Sequence, residues 1–187
     1  MRCQSPSRPW RFAITCAVAA GWLATAPAAY ADTVNITTTG QIASSCTVAA
    51  ASTFPAANLS ANGSVAASAS VSCNTGFVVK ATSTNGAIKS ATAAPTNFTN
   101  SLDYTLTLSL PLDSGATATA TCAAALLKAG QTTCALSPAG TGLSSSGATA
   151  IGKTASLTAQ WTVPALPTRL VAGSYSDTIV ISIAAAP

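Results

Sequence analysis

A single stretch of this chain has the residue types and spacing for chemistry on a nucleotide. Gly147-Ala148-Thr149-Ala150-Ile151-Gly152-Lys153-Thr154 fits G-x-x-x-x-G-K-T, in which backbone amides cradle phosphates and the lysine neutralises them. That mechanism needs a buried strand ahead of the loop and, behind it, a helix whose first amides and dipole hold the anion. Here a turn-rich run from Gly140 to Ser146 precedes the motif, and an alternating segment ending in Val163-Pro164 follows it. The segment is therefore expected to be a flexible loop with no phosphate site. Hydrolytic chemistry fares no better. The chain has no histidine, which removes Ser-His and Cys-His pairs, and no Ser-x-x-Lys or Gly-x-Ser-x-Gly stands in a suitable setting. A paired-carboxylate mechanism would have to draw on Asp32, Asp103, Asp113 and Asp177, since there is no glutamate. Asp103 falls on the polar face of a strand, Asp113 in a turn, and Asp177 beside the turn at Gly173-Ser174, so each has a structural role to play. Trp161 and Tyr175 could stack on a sugar ring, but with so few aromatics core packing is the better use for them. Sequons at Asn35, Asn58, Asn62 and Asn97 would matter only in a eukaryotic secretory pathway. No catalytic residue and no cofactor is expected.

The elements that must position these residues begin with an export signal. Arg2, Arg8 and Arg11 form a positive n-region, residues 12–23 a short apolar run, and Ala29-Tyr30-Ala31 a small-x-small cleavage site, so residues 1–31 are read as a signal peptide. That run is too short to span a bilayer, and no later segment is long and apolar enough to do so. After cleavage, Lys80, Lys89, Lys128, Lys153 and Arg169 face the four aspartates, a net charge of about +1. No basic cluster survives to bind nucleic acid or an anionic membrane. What remains, about 156 residues, is one domain's worth and enough for a core. Ser, Thr, Asn and Gln must cover its surface. An uncharged chain with strand periodicity is prone to pair edge to edge, and that liability can itself be the function.

Cys3 and Cys16 leave with the signal, so Cys46, Cys73, Cys122 and Cys134 remain, and an even number in an exported chain points to two disulfides. Of the three pairings, Cys46 with Cys73 and Cys122 with Cys134 is favoured because each closes a compact local loop. No spacing is C-x-x-C and histidine is absent, so a metal site is not expected. Period-2 alternation predicts strands at 64–72, 77–84, 102–110, 155–163 and 175–183, with turns at Asn74-Thr75-Gly76, Asn85-Gly86, Asp113-Ser114-Gly115 and from Gly140 to Gly147. Leu102, Tyr104, Leu106, Leu108 and Leu110 form the longest apolar face and mark a central strand. Only residues 122–129, closed by Gly130, look helical, for a turn or two. Strands without interleaved helices imply an antiparallel sandwich. Ahead of the domain stands one more alternating stretch, with Val34, Ile36, Thr38, Gly40 and Ile42 on one side and Asn35, Thr37, Thr39 and Gln41 on the other. Lying directly after the signal, it reads as a strand that can complete its own sheet or a neighbour's.

Near the C-terminus the chain runs Ala155-Ser156-Leu157-Thr158-Ala159-Gln160-Trp161-Thr162-Val163-Pro164 and then, after a linker, Ala172-Gly173-Ser174-Tyr175-Ser176-Asp177-Thr178-Ile179-Val180-Ile181-Ser182-Ile183. This is similar to the closing signature of the spore coat protein U domain family, which includes the archaic, Csu-type chaperone-usher pilins. Cys46-Thr47-Val48, Val71-Ser72-Cys73 and Leu102-Asp103-Tyr104 follow the family in order, so the resemblance covers residues 34–183. It implies an all-β fold, an incomplete immunoglobulin-like antiparallel β-sandwich completed by a donor strand. Residues 1–31 would then be signal, 32–43 the donor strand and 44–187 the pilin domain. A periplasmic chaperone would lend a strand beside the acceptor strand, with Tyr175, Ile179, Ile181 and Ile183 facing it. At the outer-membrane usher, the tail of an identical or related subunit would replace that strand. Within the tail Val34, Ile36 and Ile42 would fill pockets, Thr38 a shallow one and Gly40 a crowded one. The resemblance implies an extracellular pilus of a Gram-negative bacterium, supporting adhesion and biofilm formation. A free-standing secreted or coat protein that inserts the strand into its own sandwich is the alternative. The Cys122 to Cys134 segment has no counterpart in the family's common core.

Overall fold

Alternation of apolar and hydroxyl-bearing residues shapes the long strands. The computed structural model describes residues 39–186, so the expected signal segment and the donor residues Val34, Ile36 and Thr38 lie outside the described residues. In chain order the strands are β1 (Cys46–Ala50), β2 (Gly63–Cys73), β3 (Phe77–Ser83), β4 (Ile88–Lys89), β5 (Phe98–Thr99) and β6 (Ser101–Leu102). There follow β7 (Tyr104–Pro111), β8 (Thr117–Ala123), a 3-10 turn at Ala124–Leu127, β9 (Leu143–Ser144), β10 (Ala150–Trp161), β11 (Arg169–Leu170) and β12 (Ile179–Ala185).

Two antiparallel sheets carry the core. One has the order β1-β2-β10-β7-β8 and the other β12-β3-β9. Small ladders, β4 with β6 and a parallel pair of β5 with β11, close one end. Along β7 the apolar positions Tyr104, Leu106, Leu108 and Leu110 are buried, and along β10 so are Ala155, Leu157, Ala159 and Trp161. They share one core with Phe77, Val79 and Ala81 of β3, in the manner of two sheets packed face to face. The opposite face of the larger sheet is hydroxyl-rich; across it Thr107 Oγ1 and Thr121 Oγ1 lie 2.8 Å apart. At the start of β2 only glycine fits, because a Cβ on Gly63 would come within 2.8 Å of the Trp161 ring.

Disulfides join Cys46 to Cys73 and Cys122 to Cys134, the combination with the shortest loops. The first links directly opposed residues of β1 and β2. The second closes the segment after β8, which places Leu127 and Leu136 fully in the core. Two disulfides are compatible with an exported protein. Among the described residues no helix is long and apolar enough to cross a membrane, and no group of three or more Cys, Asp or Glu is placed to hold a metal ion.

Several expected boundaries move. The expected strand 102–110 breaks at Asp103, because Leu102 pairs with Ile88 of β4 whereas Tyr104 pairs with Trp161 of β10. Asp103 is left exposed between them. Residues 122–129 do not form the expected helix: Cys122 and Ala123 complete β8 against β7, and only the 3-10 turn follows. Ladder pairing there outweighs the helix propensity of the alanine run. The expected flexible loop at 147–154 is also corrected, since its second half begins β10, with a bulge between Ala150 and Lys153 where Gly152 takes φ 59°. Finally, the last strand starts at Ile179 rather than at Tyr175, and Ser176 instead makes an isolated bridge to Lys89.

Candidate functional site

Ile179, Ile181 and Ile183 alternate with Val180, Ser182 and Ala184, so β12 turns one apolar row toward the other sheet. On one side the strand pairs in full register with β3, from Ile179 opposite Ser83 to Ala185 opposite Phe77. Its other side has no ladder partner among the described residues. Alternate amides and carbonyls on that side are therefore free to bond an added strand. β1 likewise ends its own sheet, paired only with β2, and its inward Val48 approaches Ile181 and Ile183. Two free edges, one from each sheet, thus border the same opening.

Burial shows that the opening reaches the core. On β3 the inward residues Phe77, Val79 and Ala81 are at most 3% exposed. On the neighbouring β12 the equivalent isoleucines are only half-buried. No polar residue or turn accounts for this, since the isoleucines face the same way as their buried neighbours. Among the described residues, no strand pairs along their outer side.

The opening is a groove of about 530 Å³ between β1 and β12, bordered by Val48, Phe54, Ala67, Ile179 and Ile181. Beneath it Val48, Val71, Leu108, Ile181 and Ile183 pack closely, leaving a gap of only about 10 Å³ inside the core. At the N-terminal end of β12 the groove becomes a cavity of about 800 Å³ between Phe54, Leu59, Trp161, Leu170 and Tyr175. Ahead of β1, Asn74 accepts from Ser45 N at 2.8 Å and donates to Ala43 O at 2.9 Å, fixing the residues that lead into the strand.

Asp177 is the one charged residue lining any of these three cavities. Its carboxylate accepts from Ser83 Oγ and Tyr104 OH, both at 2.6 Å, from Asn85 N at 2.9 Å and from Thr178 N at 2.8 Å. This node ties the lead-in to β12 to the end of β3 and, across the sandwich, to β7. Burial, and then the bond to Asp177, push the Tyr104 hydroxyl far above the ordinary tyrosine range. Ser83 Oγ in turn accepts from Gly86 N at 2.7 Å, so the hydroxyl is held as a structural bridge.

The other residues that chemistry might have used are separate. Lys153 of the G-x-x-x-x-G-K-T stretch pairs with Asp113 at 3.0 Å, and Thr149 Oγ1 and Ile151 N donate to the same carboxylate at 2.7 and 2.9 Å. The Thr149 hydroxyl, with Lys153 second, holds the Asp113 carboxyl below the usual range. A turn aspartate thus occupies the lysine. Trp161 and Tyr175 do line one cavity together, but Trp161 is only 4% exposed, with Nε1 bonded to Ala61 O, and offers no open face to a sugar ring. The Tyr175 hydroxyl donates to Val171 O at 2.9 Å, with Thr99 O at 3.2 Å.

Of the sequence-predicted acceptor residues, Ile179, Ile181 and Ile183 come together in the groove, with Tyr175 beyond the strand at its wide end. Of the donor residues within the described region, Gly40 and Ile42 belong to no strand, and Ile42 is 92% exposed. Val48 and Phe54 were not singled out from the sequence. The alternation Cys46-Thr47-Val48 could have flagged Val48, but nothing local marks Phe54. No protein-family model matches the chain, and neither the curated proteins nor the solved structures yield a match.

Proposed function

We propose that this chain is a structural subunit of an archaic chaperone-usher pilus that polymerises by donor-strand exchange. The carrying observation is the row of half-buried inward isoleucines on β12, beside an unpaired edge and facing β1 across an apolar groove. An extended segment laid there would add a ladder to β12 and cover the core in one step, as in other cases of strand addition. The stretch containing Val34, Ile36, Thr38, Gly40 and Ile42 has the matching period and follows the expected signal cleavage site. Burying its three aliphatic side chains, Val34, Ile36 and Ile42, at ~1.5–3 kcal/mol each, on top of the ladder bonds, yields a firm junction. A chaperone strand would fill the groove before assembly, because an open apolar edge aggregates. The domain acts by binding strands, with no enzymatic role.

Unheated gel electrophoresis of the oxidised mature chain tests this. The expected result is a ladder of multimers that grows with concentration and disappears on Ile36→Asp. A chain that remains monomeric at all concentrations, and whose stability is insensitive to Ile36→Asp, would overturn the proposal. A monomer that loses stability on Ile36→Asp would instead show a strand inserted into its own sandwich.

A further inference from the structure

The groove between β1 and β12 and the larger cavity beyond it share three wall residues. Phe54 stands on one side, and Asp177 and Ile179 on the other. Phe54 belongs to no strand, yet it is half-buried and packs against the core. A strand added beside β12 at Ile179 would have to pass it.

The connection from β1 to β2 carries this side chain and is tied at both ends. At its start Ala51 N and Ser52 N donate to Ser68 O at 3.0 and 3.1 Å, and near its end Ala61 O accepts from Trp161 Nε1 at 2.9 Å. Between those ties, residues 53–57 make no hydrogen bond to any described residue. Pro55 has no N–H to offer. The connection that follows β8 is held quite differently: a disulfide joins Cys122 to Cys134, Ala139 N donates to Gln131 O at 3.1 Å, and Cys134 N to Ser137 Oγ at 3.0 Å. One connection is locked by covalent and polar bonds, whereas the other rests on the packing of Phe54. Segments with few buried contacts and no backbone bonds open at low cost.

Resting on the strand-accepting reading above, we infer that residues 53–57 are a displaceable strap over the strand-binding groove. Before a strand enters, Phe54 covers the apolar wall at Ile179; an entering strand drives the ring out and takes its place. One apolar contact replaces another, so the exchange is cheap. The strap reduces the apolar surface presented to other chains and slows the entry of any strand.

Phe12 lies in the expected signal, which leaves Phe54, Phe77 and Phe98 as fluorine NMR reporters in a mature chain labelled with fluorophenylalanine. The chain is titrated with a synthetic peptide of residues 32–43, and the Phe54 signal is assigned by its loss in Phe54→Leu. At saturation that signal should move to its position in the urea-unfolded chain, while the signal of the fully buried Phe77 keeps its folded position. Trp10 and Trp22 also lie in the expected signal, so Trp161 emission follows the rate of binding. Phe54→Ala should bind the peptide on the order of fivefold faster than the native chain. A Phe54 signal that stays away from its unfolded position, or a Phe54→Ala rate no higher than native, overturns the strap and leaves the groove reading standing. If the peptide does not bind at all, the groove reading falls and the inference with it.

Discussion

The smaller sheet has two long sides, and the chain treats them in opposite ways. On the β9 side, β3 meets Leu143 and Ser144, and Ala81 N donates to Leu136 O at 2.8 Å. The Cys122–Cys134 loop and the residues just after it lie along this seam, with Leu127 and Leu136 fully buried, and Ser137 Oγ donates to Leu126 O at 2.8 Å. On the β12 side the described residues form no ladder, and a row of isoleucines is left half-buried. The chain thus closes one edge of this sheet with its own residues, while among the described residues the other edge stays unpaired.

Cutting into the closed seam should cost the most. Leu136→Ala is expected to destabilise the subunit by about 2–5 kcal/mol in urea titrations, because a fully buried leucine leaves a cavity. Ile181→Ala on the open side should cost clearly less, about 1–2 kcal/mol, while weakening strand binding. Equal losses at the two sites would mean the seams do not differ. Removing the second disulfide with Cys122→Ser and Cys134→Ser should lower stability by about 3 kcal/mol in the same assay.

Next comes the brace at the wide end of the open seam. Tyr104→Phe removes one of four donors to Asp177 and should cost about 1–1.5 kcal/mol. Because the folded state raises the Tyr104 pKa, its contribution is present in full below the ordinary tyrosine range and is lost as pH rises above it. Thermal midpoints of the native chain should accordingly fall more steeply above about pH 10 than those of Tyr104→Phe. Parallel curves would show that the hydroxyl is not braced.

The smallest effect belongs to Asp113, which lies outside both seams on an exposed turn. Its pKa is lowered in the folded state, so its contribution is present above the ordinary carboxylate range and is lost as pH falls through the folded value. Asp113→Asn should leave neutral-pH stability nearly unchanged, with a slightly flatter dependence below about pH 4 and less sensitivity to salt. A change as large as that of Tyr104→Phe would contradict the exposed position of the pair.

Where side chains alternate against one flat neighbour, the strand could be read directly: Leu106, Leu108 and Leu110 on β7 and Ala155, Leu157 and Ala159 on β10 lie buried in the expected rows. Local signals failed where the partner was distant. Ala124 to Leu127 has helix-forming residues, yet β8 ends there because β7 offers a ladder. The P-loop-like stretch was expected to be mobile, but Asp113 holds its hydroxyl, amide and ammonium from more than thirty residues away.

Period-2 patterning, the missing histidines, the even cysteines and the scarcity of charge are enough to determine an all-β class with two candidate disulfides and no His-based catalytic site. They depend only on side-chain chemistry and on the two-residue repeat of an extended backbone, both of which are local. The tertiary structure alone decided that β1 and β12 border one opening, that Asp177 rather than Asp103 or Asp113 joins the sheets, and that Leu136 covers β3 while nothing among the described residues pairs along the outer side of β12. Those facts depend on which strands become neighbours. That is settled by packing between residues tens to more than a hundred positions apart, which no local pattern encodes.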